Sequence, residues 1–393
     1  MTDKKSKNIC IVNGIFYGHF AGTTEIVHEL VSLGHNVSCY VLEDFKDRLK
    51  NSGAKIIPYD IDKNQVQKRV PKQAPPFAVS GYILADATAI LFNLISNDKN
   101  KYDYYIFDSF FEITEMNKIM KIDPAKCISL YSENIFTDEN FNILAERRKH
   151  AFDVVNKMFN LNFHDYITNA YTPSPYKKLI LNSKLFHLRS ENADDKCFFI
   201  GPSIEKERKI DINFNFKKDK SKKLIYVSFG TLYFNLDKKV NVFLNCINAF
   251  KDSEEYQVVL SIGKYENKNL YRDLPKNISV FEFVPQLQLL PEVDVFITHG
   301  GLNSIGEALF NRVPLIVVPF FIDQFDNARK IEELGAGIYL DKTKTEISEE
   351  VIKKAVNEIS TNNEKYKVGM EKIIDSFNET RANRKNIYEK IFI

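Results

Sequence analysis

Short apolar runs alternate with stretches of helical period along most of the chain. Ile9–Val12 reads as a buried strand. Thr24–Leu33 carries apolar residues at 26, 27, 30, 31 and 33, which is one face of a helix. Gly34 ends that helix, and Asn36–Val41 reads as the next strand. Phe45–Ser52 follows as a short helix and Ala54–Tyr59 as a strand. Further strands are predicted at Tyr104–Phe107, ending in Asp108, and at Cys127–Tyr131. Strands alternating with helices in this way indicate parallel βαβ units.

The texture changes near residue 200. Phe198–Pro202 closes the first half, and Ile204–Lys223 is charged and aperiodic, a linker pattern. A second αβ series then begins at Leu224–Val227, with strands at Gln257–Ile262, Ile278–Phe281, Val295–Thr298 and Pro314–Pro319. The pattern predicts two doubly wound α/β domains, residues 1–203 and 224–370. Residues 371–393 form a C-terminal helix expected to return toward the first domain. In such sheets ligands bind outside the carboxyl ends of the strands.

Composition narrows the class. With 393 residues the chain is too long for one ordinary core, and 44% apolar with 27% charged residues is an ordinary globular balance. A net charge of +2, with lysines spread along the chain, is far from the concentrated basicity of a nucleic-acid binder. The clusters Lys4–Lys7 and Lys217–Lys223 read as solvated ends and linkers. The five cysteines lack Cys-x-x-Cys spacing, which suggests reduced thiols and a cytoplasmic protein. The seven histidines form no metal-ligand motif. Gly81–Ile95 is too short to span a bilayer and contains Asp86. Asp60-Ile61-Asp62 resembles an Asp-x-Asp metal motif but reads as a surface turn.

The densest chemistry lies between residues 283 and 328. Val295–Thr298 runs into His299-Gly300-Gly301, then Asn303 and Ser304 at the start of a helix reaching Phe310. The glycines let a ligand approach the backbone. The unpaired N–H groups and positive dipole end of the helix favour an anion. Asn303, Ser304 and His299 add side-chain donors, so the segment reads as a pyrophosphate cradle. Glu307 lies one turn beyond Ser304 on the same face, placed to accept sugar hydroxyls as an acidic residue does for ribose in dinucleotide sites. Asp323, Gln324 and Asn327 follow the next strand and can hydrogen-bond a sugar.

This block, Phe283–Gln286, His299–Glu307 and Asp323–Ala328 in order, resembles the donor-binding signature of the family 1 UDP-glycosyltransferases, in the branch of macrolide and natural-product enzymes. Weaker matches at Tyr226–Thr231, Phe199–Ser203 and Gly18-His19 extend the resemblance over most of the chain. It implies the GT-B architecture, two facing Rossmann-like domains with a deep cleft between them, the donor in the C-terminal domain and the acceptor in the N-terminal one. It also implies roles. Phe283 stands where the family has a Trp that stacks on the base, Val284 meets the base edge through its backbone, and Gln286 lies near ribose or base. Glu307 takes the ribose hydroxyls. His299, Gly300, Gly301, Asn303 and Ser304 hold the pyrophosphate, and Asp323 and Gln324 the hexose. Ser228, Gly230 and Thr231 form a second turn facing phosphate or sugar. UDP-sugar is then a co-substrate rather than a cofactor.

Transfer to an alcohol needs a base, and a histidine held by a carboxylate is suited to it. The resemblance places the base in a Gly-His-x-x-Pro segment, here Gly18-His19-Phe20-Ala21-Gly22 with Gly22 replacing the proline, and its partner at Asp108. His19 is expected in the loop before the first helix. The implied reaction is an inverting single displacement without a metal, from UDP-hexose to a small hydrophobic hydroxylated acceptor. Residues 65–100 and 133–165 would wall the acceptor site. The protein is expected as a monomer or weak homodimer, with no nucleic-acid partner and no stable membrane insertion. A peripheral lipid glycosyltransferase, a UDP-sugar epimerase on a similar fold and a non-catalytic binding module remain as other readings.

Overall fold

The computed structural model describes residues 6–70, 78–113, 116, 120–134, 156–157, 176–204, 214–230, 236–263, 268–320 and 322–392. The chain divides into two compact units. The first comprises Met1–Ser183, Arg189–Ser203 and Thr380–Ile393, and the second Lys184–Leu188 and Ile204–Glu379.

The first unit is built on strands β1 (Asn8–Val12), β2 (Asn36–Leu42), β3 (Lys55–Tyr59), β4 (Tyr104–Asp108), β5 (Cys127–Tyr131), β6 (Lys177–Ile180) and β7 (Cys197–Phe199). They lie in the order β3-β2-β1-β4-β5-β6-β7, every neighbouring pair parallel. The second unit has β8 (Lys223–Ser228), β9 (Tyr256–Ser261), β10 (Ile278–Phe281), β11 (Val295–Thr298), β12 (Leu315–Val317) and β13 (Gly337–Tyr339). Their order is β10-β9-β8-β11-β12-β13, again all parallel. Both sheets reverse winding beside their first strand, between β1 and β4 and between β8 and β11. Those are the switch points at which such sheets bind ligands.

Alternate residues of one strand serve two cores. Ile9 and Ile11 enter one apolar cluster, and Cys10 and Val12 another on the opposite face. In the second unit Ile225 and Val227 divide from Leu224 and Tyr226 in the same way. Both faces are covered, so the strands read as continuous apolar runs rather than as alternation.

Among the described residues, the first half carries helices α1 (Tyr17–Ser32), α2 (Lys63–Arg69), α3 (Ala78–Ser96) and α4 (Ser109–Ile113). Those of the second half are α5 (Leu236–Phe250), α6 (Gln286–Leu289), α7 (Leu302–Phe310), α8 (Ile322–Glu333), α9 (Glu349–Thr361), α10 (Asn363–Ala382) and α11 (Arg384–Ile391). Helix α1 begins seven residues before the predicted start at Thr24, so His19 stands in its first turn and not in a preceding loop. The glycines there look like loop residues in sequence. Yet Gly22 is buried against Leu181, whose Cδ1 would lie 2.7 Å from an added Cβ.

Strand β6 was not visible in the sequence, because it opens on Lys177 and Lys178, and β13 has only three residues. Part of the expected linker is core: Phe214 and Phe216 pack on the second unit. Helix α11 is fastened within the first unit by Arg384, 2% exposed. Arg384 donates to Glu25 at 2.8 Å, Glu29 at 2.9 Å and the carbonyl oxygens of Gly201 and Pro202. Asp62 caps α2 through the amides of Asn64 and Gln65, so that carboxylate serves a turn. In α3, Leu84, Ala87 and Leu91 belong to the core. Among the described residues no helix is long and apolar enough to cross a membrane.

Candidate active site

At the switch point of the first sheet, α1 brings His19 against the carboxyl end of β4. His19 Nδ1 lies 2.9 Å from Asp108 Oδ2. Asp108 is 1% exposed, and its other oxygen accepts from the N–H of Phe110 at 3.1 Å. The carboxylate therefore both starts α4 and orients the imidazole, one oxygen for each. The Phe110 ring lies 4.3 Å from the imidazole, centroid to centroid. A second carboxylate, Glu133, stands after β5 with Oε2 3.9 Å from His19 Nδ1, and Ser109 Oγ donates to its Oε1 at 2.6 Å.

Gly14, in the turn after β1, makes room for this arrangement. A Cβ there would lie 2.4 Å from His19 Cβ and 2.8 Å from Asp108 Oδ2. With Nδ1–H donating to the buried carboxylate, Nε2 is left as the basic nitrogen. Such a pair can take a proton from a hydroxyl and hold the resulting imidazolium.

The second switch point carries the other group of candidate residues. Ser228 and Thr298 are directly paired at the ends of β8 and β11, so the two turns that follow lie side by side. Gly230 and Gly300 adopt φ of 75° and 86°, left-handed values that favour glycine. The His299 ring lies between two glycines: Nε2 would be 2.8 Å from a Cβ on Gly230 and 2.6 Å from one on Gly301. Gly301 is the N-cap of α7 and offers no side-chain cap, which leaves first-turn N–H groups of that helix, with Asn303 and Ser304, to meet an anion. The turn is braced from behind by Asn327, whose Nδ2 donates to the Gly300 carbonyl oxygen at 2.8 Å.

Burial pushes the His299 imidazole down to about 3, and the Lys239 ammonium acts in the same direction. His299 therefore brings a neutral ring and a dipole to the turn near neutral pH, not a positive charge. Glu307, 4% exposed, accepts from Gln286 Nε2 at 2.8 Å. The Tyr226 hydroxyl donates in turn to Gln286 Oε1 at 3.3 Å. Phe283, 37% exposed, and the buried Val284 precede this pair after β10.

Asp323 opens α8, half-buried. Gln324 is buried, and its Oε1 accepts from the Phe320 N–H at 2.9 Å. That amide oxygen closes the turn after β12. Asn327 likewise serves the Gly300 turn, where sequence reasoning had put it with the sugar contacts. Thr231 lies outside the described residues.

The structure thus gathers His19 with Asp108 in one unit and the remaining described candidates around the β8, β10, β11 and β12 ends in the other. Sequence reasoning missed Gly14, Glu133, Tyr226 and Lys239. Gly14 and Glu133 directly follow or nearly follow strand ends, which is a usable signal. Tyr226 and Lys239 sit inside a strand and a helix and carry none. Among the described residues no group of three or more His, Cys, Asp or Glu is placed to hold a metal ion.

Residues 209–375 match the family model described as UDP-glucoronosyl and UDP-glucosyl transferase. The chain is 28% identical over 377 residues to the NDP-glycosyltransferase YjiC of Bacillus subtilis (strain 168), covering 92% of this chain and 91% of that protein. Its fold superposes on the glycotransferase of kitacinnamycin with a TM-score of 0.74 at 21% identity, over 98% of this chain and 99% of the other. It superposes on the spinosyn rhamnosyltransferase SpnG complexed with thymidine diphosphate with a TM-score of 0.68 at 14% identity, over 97% and 99%. The fold is GT-B. Residues 209–375 thus carry the UDP-glycosyltransferase family match, and over more than nine-tenths of its length the chain is similar to a bacterial NDP-glycosyltransferase.

Proposed function

We propose that the protein is an inverting, metal-independent hexosyltransferase that moves glucose from UDP-glucose to a hydroxyl of a small hydrophobic acceptor. Residues 1–203 serve the acceptor and residues 224–370 the donor. His19 Nε2 takes the hydroxyl proton as the acceptor oxygen attacks the anomeric carbon. Asp108 holds the ring and balances the imidazolium. The bond from the anomeric carbon to the phosphate oxygen breaks on the opposite face, and UDP leaves with the electron pair.

The leaving charge is met by the first turn of α7, with Asn303, Ser304 and a neutral His299 as donors, an environment that needs no reorganisation during the step. Glu307 and Gln286 take the ribose, Phe283 and Val284 the base, and Asp323 and Gln324 the hexose. Ser228, Gly230, Gly300 and Gly301 give the diphosphate close access to the backbone.

The observation that carries this reading is the 2.9 Å pairing of His19 with the buried Asp108 at a sheet switch point. His19→Ala is expected to lower kcat by about 10³-fold, within the range that general bases contribute, while UDP affinity by calorimetry stays near wild type. Transfer at the wild-type rate in that variant would remove the base assignment. A donor screen with UDP- and dTDP-hexoses, a panel of phenolic, macrolide and lipid acceptors, and product anomers read by NMR tests donor, acceptor and inversion together. Undiminished turnover in chelator is the expected result for a metal-free step.

A further inference from the structure

A second carboxylate reaches the His19 ring from the neighbouring strand end. Strands β4 and β5 are paired, with Asp108 opposite Leu130, so the residues that follow β5 come alongside the dyad. Glu133 Oε2 lies 3.9 Å from His19 Nδ1, the nitrogen that Asp108 Oδ2 meets at 2.9 Å. Nδ1 carries one hydrogen, and Asp108 accepts it. At 3.9 Å Glu133 is too far for a hydrogen bond to that nitrogen and near enough for its charge to be felt. His19 and Glu133 are both half-buried, and the Phe110 ring lies 4.3 Å from the imidazole, so water screens them incompletely.

Two hydroxyls hold the second carboxylate. Ser109 Oγ donates to Glu133 Oε1 at 2.6 Å, and Ser132 Oγ donates to Oε2 at 3.3 Å. Ser109 is buried and directly follows Asp108, so adjacent residues of one chain segment aim the two carboxylates. Other titratable groups nearby are engaged elsewhere. Burial first, and the Asp108 charge second, keep the Tyr59 hydroxyl at the end of β3 a neutral phenol. Arg48, after β2, donates to the Tyr17 hydroxyl at 3.0 Å. When Nε2 takes a proton, the positive charge spreads over both ring nitrogens, and its Nδ1 side meets two carboxylates.

We propose that Glu133 is a positioning residue of the transfer: its carboxylate stands with Asp108 on the Nδ1 side of His19 and shares the charge of the imidazolium formed when the acceptor hydroxyl gives up its proton. The proposal rests on the reading of His19 as the base. Asp108 orients the ring by taking its hydrogen, and Glu133 strengthens the ring as a base without competing for that hydrogen.

Glu133→Gln keeps the shape and an acceptor oxygen for Ser109 and removes only the charge. NMR titration of the His19 ring in the full chain, its signal assigned by loss in His19→Ala, reads the effect without substrate. The pH profile of kcat/KM with UDP-glucose and a simple phenol reads it in turnover. In Glu133→Gln the ring titration and the acid limb of the profile should both move to lower pH by at least about half a pH unit. Plateau kcat should fall about two- to threefold, as expected of a weaker base. Glu133→Asp, with its carboxylate set back by one methylene, should fall between the two. UDP affinity by calorimetry should keep its wild-type value in both variants, which reports that they fold. An unmoved titration in Glu133→Gln, with only a lower melting temperature, would make Glu133 a tie to Ser109 and overturn the proposal. Should Glu133→Gln not fold, a wild-type titration in Glu133→Asp overturns it equally. A titration that moves in Glu133→Gln while His19→Ala turns over at the wild-type rate would overturn the base reading, and the positioning role with it, leaving only the charge contact.

Discussion

His19 and His299 both stand at the switch point of a parallel sheet, just beyond a strand's carboxyl end, and their surroundings differ in sign. His19 faces a buried carboxylate at 2.9 Å and a second one at 3.9 Å. His299 is enclosed between two glycines and lies in the field of a buried lysine, with its imidazole pushed down to about 3. The same side chain in the same topological place is therefore prepared for different work. Beside carboxylates an imidazole gains a proton readily and can act as a base. Beside an ammonium, and out of water, it stays neutral and can only donate or accept a hydrogen bond. The fold supplies the location, and the neighbours supply the chemistry.

The contrast can be broken most severely at Gly14. Gly14→Ala sets a methyl group 2.4 Å from His19 Cβ, so the ring must leave Asp108. A displacement of about 1 Å can cost on the order of 10²-fold in rate. We expect a kcat loss of that size in steady-state kinetics with UDP affinity preserved, and wild-type turnover would show that the pairing does not matter to the reaction.

A smaller effect is expected at the second switch point. Glu307→Ala removes the acceptor of the Gln286 amide and the proposed ribose contact, and should weaken UDP binding about tenfold, or about 1.4 kcal/mol. Calorimetry decides between this and a bracing role, in which the melting temperature drops and UDP affinity does not change.

The third effect is on stability and not on turnover or affinity. His299 titrates near 3 in the folded protein against about 6.5 unfolded, so between those values the unfolded chain holds the extra proton. The stability that a neutral His299 allows is complete above about pH 6.5 and is lost as pH falls toward 3. His299→Gln removes this term. Between pH 7 and pH 4.5 its stability should gain on wild type by roughly 2–3 kcal/mol in denaturant unfolding. A gap between the two proteins that does not vary with pH would mean that the ring takes up protons freely.

Much of the scaffold could be read from residues alone. Cys127–Tyr131, Ile278–Phe281 and Val295–Thr298 fall where their apolar runs predicted, because strands covered on both faces must be apolar throughout. The turn after Val295–Thr298 was legible for a related reason: an apolar run, two glycines and a helical period follow one another directly. Lysine-led β6 and the first turn of α1 were not legible. Lys178 is buried and lies 3.8 Å from Asp194, and Gly22 sits in a helix because Leu181 occupies its side-chain space. Both facts belong to contacts distant along the chain.

By itself, then, the sequence determined two parallel α/β units, the strand ends at which chemistry collects, and the residue types present there. Tertiary structure alone decided which neighbours each group meets. His19 meets a carboxylate 89 positions away, His299 feels a lysine far earlier in the chain, and Gln286 reaches Glu307 across 21 positions. A proton's affinity depends on distance and burial, which fall off over a few ångströms, and sequence separation carries neither.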